Sequence, residues 1–217
     1  IRTVLIFFVY GLAFFTMGLA MSLESRRSPL LAEARLLYPL AFFGFVHGTH
    51  EWLEMYLHIR GWFDLPVSEV APWLRLFLLV VSFTSLIFFG LQTFLSASNP
   101  YYKHQMAASA AFLLIYALVA VLVGISHQHQ LTHWLEDADA LARYSLAVPG
   151  AGLAALALHR QARQSTIQRE RARLVQSLNL AALCFGLYAL TQSIVAQSDL
   201  RPAQLINQEA FTRWTGV

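Results

Sequence analysis

The chain has 217 residues, of which 57% are hydrophobic and 12% charged, with a net charge of +3 and a mean hydropathy of +0.53. A soluble domain carries about 25% charged residues, so this composition excludes an ordinary soluble domain and predicts an all-α, polytopic membrane protein. The single cysteine, Cys184, rules out a disulfide or zinc-knuckle framework within the chain and reads as a small buried hydrophobe.

Six apolar stretches are long enough to span a bilayer: 3–22, 36–58, 73–95, 106–126, 140–158 and 174–196. None alternates like a barrel strand, so all are predicted helices in a single transmembrane domain covering 1–217. The first lacks a small-residue cleavage site and reads as a span and not a signal peptide. The fifth contains Pro149-Gly150 and Gly152, which predict a kink there.

The segments between the spans set orientation. Arg26, Arg27 and Arg35, then Lys103, then Arg160, Arg163, Arg169, Arg171 and Arg173 fall on one side, with only Glu24, Glu33 and Glu170 as acids. By the positive-inside rule that side is cytoplasmic and the N-terminus is outside. Trp52, Trp62, Trp73, Trp134 and Trp214 then gather near the outer ends, as an interfacial belt does. The tail 197–217 is amphipathic and suits the outer interface. The basic run 159–173 lacks interleaved aromatics and follows from topology, so no nucleic-acid partner is expected.

The second span carries His47, His50, Glu51, Glu54 and His58. His47, Glu51, Glu54 and His58 are spaced four, three and four apart, which stacks them on one helical face with His50 beside it. Each charged group at the bilayer centre costs on the order of 3 kcal/mol, so such residues are functional candidates by default. His58 sits near the interface and has a plain reading as a solvated side chain. His127, His129 and His133 follow the fourth span in what reads as a polar loop with Glu136, Asp137 and Asp139.

Three chemistries stand side by side. His47, His50 and Glu51, with His127 and His129, offer imidazole and carboxylate donors suited to zinc, copper or iron. His47 or His50 opposite His127 or His129 could instead ligate a haem b. The histidines and glutamates could also exchange protons. Thr84, Ser85, Gln92, Ser109, Gln192 and Ser193 read as helix-packing groups. No phosphate loop, nucleophile elbow or catalytic set is visible.

The stretch 42–54, Phe-Phe-Gly-Phe-Val-His-Gly-Thr-His-Glu-Trp-Leu-Glu, resembles the FGxxHGxHEW motif of certain bacterial membrane-bound signalling proteins. The run 142–150, Ala-Arg-Tyr-Ser-Leu-Ala-Val-Pro-Gly, is similar to their ARYxLxxPG stretch. The segment 206–217 resembles their NxExFxxxTGxP segment, which leads into one more helix. The resemblance implies the input domain of a histidine kinase or diguanylate cyclase, in the bacterial inner membrane, with six of seven spans seen here and an output module beyond residue 217. It implies His47, His50 and Glu51 as the sensory core, with Arg143 as a structural or ligand-binding residue. Glu54 joins the sensing set from its place on the stripe. The expected partners are the bilayer, the output domain of the same chain and a second copy in a homodimer. A haem-bearing electron-transfer subunit and a proton- or metal-coupled transporter component are the competing classes.

Overall fold

The structure is a computed structural model that describes residues 2–27, 37–94, 102–126, 131–164 and 171–194, with Ser198 and Leu200 beyond them. Every described element is helical: α1 (Arg2–Arg27), α2 (Leu37–Trp62), α3 (Val70–Phe94), α4 (Tyr102–Ser126), α5 (Leu131–Ala142), a π-helical turn (Arg143–Ala147), α6 (Val148–Gln164) and α7 (Arg171–Ile194). Five segments, 2–23, 70–93, 106–125, 133–163 and 175–194, are long and apolar enough to cross a membrane. At 26 residues α2 has the length, but with its histidines and glutamates it is not among the segments apolar enough to cross. The chain thus has the helices of a multi-pass membrane protein; among the described residues five of the six expected spans are long and apolar enough to cross.

The fifth span differs from expectation in extent and in the place of its irregularity. The helix is continuous over 131–164, and its wide turn lies at 143–147, upstream of Pro149. Proline has no N–H to give the carbonyl of residue 145, and its ring crowds that carbonyl. The π turn just before it, closed by Val148 N–H donating to Arg143 O, is the kind of local widening that accommodates such a break. The segment read as a polar loop is also corrected: 131–142 is helix α5, and Asp137 and Asp139 are buried on it.

Two compact units divide the chain after Ser85, inside α3. In the first, α1 and α2 are antiparallel and very close. Phe7 meets His58, Phe8 meets Trp52, and Gly11 and Gly18 face Gly48 and Gly44. A Cβ built on Gly44 would stand 2.7 Å from Gly18 N and from Phe14 O, and one on Gly48 would stand 2.8 Å from Gly11 O. Glycine is required at these positions because backbone approaches backbone with no space for a side chain. The first half of α3 returns antiparallel along α2, with Ser85 Oγ donating to Pro39 O at 2.7 Å near one end and Arg75 Nε standing 3.5 Å from Glu54 Oε1 near the other.

In the second unit α4, α5, the π turn, α6 and α7 pack together. Trp134 Nε1–H donates to Ala120 O at 2.7 Å and its ring lies over Gly124. Gly90 of α3 leaves room for Leu153 and Ala154 of α6. The outer faces are apolar: Leu114, Leu118 and Ile125 of α4 and Leu180, Leu187 and Leu190 of α7 are all exposed. Leucine outward with polar groups hidden is the pattern of a helix suited to an apolar solvent. Cys184 is exposed on this α7 surface, not buried as expected.

Candidate functional site

The site is built on α2, about 22 Å along its axis from Trp62 and about 15 Å from Leu37 at 1.5 Å per residue. His47, His50 and Glu51 are buried there, at 0%, 1% and 8% exposure. One ligand atom from each lies within 4.8 Å of the others, the group of this kind found among the described residues. His47 Nε2 is 3.4 Å from Glu51 Oε1, and His50 Nδ1 is 3.7 Å from the same oxygen. The two imidazoles stack at 5.6 Å with their planes 11° apart.

Helices α1 and α3 wall the site. Phe14 of α1 meets the His47 ring edge-on at 4.5 Å, Phe43 stacks on it, and Phe83 of α3 lies at 5.4 Å. These rings exclude water from the imidazole, so its polar atoms depend on protein partners. Ser82 supplies one. Its hydroxyl donates to Leu79 O at 2.8 Å, which leaves its lone pairs to accept from His47 Nδ1–H at 3.2 Å. With the Ser82 hydroxyl committed to Leu79 O, the matching form of a neutral His47 carries its proton on Nδ1, with Nε2 turned toward Glu51.

His50 has no such partner. Neither ring nitrogen makes a hydrogen bond, although both are shut from solvent. Its Nε2 faces Glu54 Oε1 at 3.7 Å, beyond hydrogen-bonding range, and Glu54 in turn faces Arg75. Two carboxylates and one guanidinium thus surround two imidazoles at mid-helix.

Of the stripe expected from the sequence, His47, His50, Glu51 and Glu54 come together. His58 is exposed and pairs with Phe7 at 5.2 Å instead. His133 is exposed, 3.9 Å from Glu136, while His127 and His129 lie outside the described residues, as do 28–36 and 201–217. Arg143 belongs to another cluster. Its Nε donates to Asp139 Oδ1 at 2.5 Å and its Nη1 to Gln192 Oε1 at 2.7 Å, while Tyr144 O–H donates to Ser193 O. These bonds tie the π turn to α7 through side chains that are themselves largely buried.

Ser82 and Arg75 escaped the reading of the sequence. Nothing local marks them, because their part depends on the register of α3 against α2. The Gly44-xxx-Gly48 spacing was not singled out in the sequence either, although glycines four apart in an apolar helix are a signal of close helix packing. No family model, curated protein or solved structure matches the chain.

Proposed function

We propose that the chain is the membrane-embedded input domain of a bacterial signalling protein in the cytoplasmic membrane, with its N-terminus outside. It detects a periplasmic or intramembrane stimulus at His47, His50 and Glu51 and relays it to a cytoplasmic kinase or cyclase module of the same polypeptide. The observation that carries this reading is the burial of His50 with neither ring nitrogen hydrogen-bonded and a carboxylate 3.7 Å from each. An unsatisfied buried polar group costs about 1–3 kcal/mol, and a protein retains such a group where something else binds it. The motif resemblance at 42–54 supplies the signalling context.

The relay has a physical basis in the placement of the cluster. His47 touches α1 through Phe14 and α3 through Ser82 and Phe83, so a change in what the cluster holds changes the packing of three helices at once. A stimulus shifts signalling only if it binds two packings with different affinity. The test is the output activity of the whole signalling protein in native membranes, with and without His50→Ala. Stimulus-dependent output is expected to be lost while basal output persists. An unaltered response in His50→Ala, or a coding sequence that continues past residue 217 without an output module, refutes the proposal.

A further inference from the structure

We infer that His47, His50 and Glu51 bind one divalent transition-metal ion of the zinc, copper(II) or iron(II) class, with Ser82 and Glu54 orienting the two imidazoles for it. The inference deepens the sensing site proposed above and rests on that reading only for what the ion does, not for whether it binds.

The separations suit an ion better than a shared proton. A proton bridging nitrogen and oxygen draws them to about 2.7–2.9 Å. The two edges here are 3.4 Å for His47 Nε2–Glu51 Oε1 and 3.7 Å for His50 Nδ1–Glu51 Oε1. Two ligands held about 2.0–2.1 Å from a tetrahedral ion stand about 3.3–3.4 Å apart, which the shorter edge matches. The widest separation in the group is within 4.8 Å, so loading the ion contracts it by at most about 1.4 Å to that same tetrahedral edge.

The outer partners fit as well. A metal-bound imidazole gives its second N–H to a carboxylate, carbonyl or hydroxyl, which fixes its tautomer. His47 already gives Nδ1–H to Ser82, whose own proton is held by Leu79 O. His50 Nε2 has Glu54 Oε1 before it, and Glu54 is backed by Arg75. With Nε2 protonated toward Glu54, Nδ1 is left as the donor on the Glu51 side. Two nitrogens and one carboxylate are a borderline donor set. They lack the thiolate or thioether that selects copper(I), and they fall short of the six or more oxygens that calcium takes. Three protein ligands leave a coordination position open.

The test uses the purified chain in detergent, stripped with a chelator and given Co2+ as a coloured probe, then Zn2+ in competition. The expected result is one Co2+ per chain with visible ligand-field bands that Zn2+ abolishes. His47→Ala and His50→Ala each lose the bands, and His58→Ala keeps them. Ser82→Ala keeps one ion but binds it about 10–100-fold more weakly, as loss of an outer partner does. Wild-type protein that takes up no Co2+ overturns the inference whatever the variants do, as does binding that survives in both histidine variants, or a Soret band that marks haem at this site. Ion binding with no influence on signalling output overturns the sensing proposal alone. Output that depends on His50 in protein that binds no ion overturns the metal alone.

Discussion

Replacing Gly44 by alanine probes the contact on which the site rests. The added methyl would stand 2.7 Å from Gly18 N and Phe14 O and 2.8 Å from Gly18 Cα. All three are backbone atoms of α1, so no side-chain rotation relieves the clash. Bringing the methyl to ordinary contact requires α1 and α2 to separate by about 0.7 Å. A radial gap of about 0.5–1 Å forfeits a quarter to a half of the dispersion energy of each contact it opens. Between lipid-embedded helices that packing energy is a main source of association. The steric loss is expected at about 1–3 kcal/mol, the usual cost of overpacking.

Glycine to alanine also favours a helix on its own account, by about 0.8–1 kcal/mol, so the comparison needs a reference. Gly186 of α7 has nothing within 4 Å of its built Cβ, and Gly186→Ala carries the propensity gain without the clash. The two variants are expected to differ by about 1–3 kcal/mol in a reversible unfolding titration in mixed micelles. Phe14 lies on the moving helix and touches His47, so Gly44→Ala should weaken Co2+ binding as well. Equal stabilities for Gly44→Ala and Gly186→Ala would refute the close approach of α1 and α2.

Other substitutions test other joints. Arg143→Ala takes the guanidinium from the buried carboxylate of Asp139 and the amide of Gln192 and is expected to cost about 3–5 kcal/mol, the usual penalty for breaking a buried pair. Adding Asp139→Ala should restore part of it, and a double-mutant cycle showing no coupling would count against the pair. Trp52→Phe removes a 3.3 Å hydrogen bond to Phe8 O and the indole's extra ring area against Gly11 and Phe15, so a loss of about 1–2 kcal/mol is expected. Trp134→Phe removes a 2.7 Å bond to Ala120 O and should lose more than Trp52→Phe under the same titration; the reverse order would argue against these assignments.

The inward face of α2 was legible because helical periodicity is a local property. Residues 47, 50, 51 and 54 share a face wherever the helix sits, and burial only had to follow. His58 shares that face too, yet it is exposed. Periodicity gives direction around an axis but not what covers each level of it, and at His58 the ring contact is with Phe7 of α1, which leaves the imidazole exposed. The buried acids of α5 were hidden for a related reason. Glu136-Asp137-Ala138-Asp139 has no apolar period and reads as loop, whereas Arg143, one helical turn beyond Asp139, supplies the charge that lets Asp139 stay inside. Pro149 announced an irregular helix, but the site of the π turn depends on which carbonyls can be satisfied upstream, and only the fold decides that.

The low apolarity of α2 and the glycines that line it belong to one solution. A helix carrying two histidines and two glutamates near its middle is costly to place in lipid alone. Paired with α1 through Gly11, Gly18, Gly44 and Gly48 and covered by α3 through Ser82, Ser85 and Arg75, it presents those groups to protein. A three-helix unit of this kind keeps the polar surface of α2 internal, which is the condition under which such a helix can sit among apolar neighbours. The same closeness gives the cluster leverage. With backbone against backbone on one side and aromatic rings on the other, there is no slack to absorb a ligand-driven contraction at His50. Any such movement is passed on to α1 or α3, because close-packed interfaces shift between discrete arrangements and do not deform smoothly.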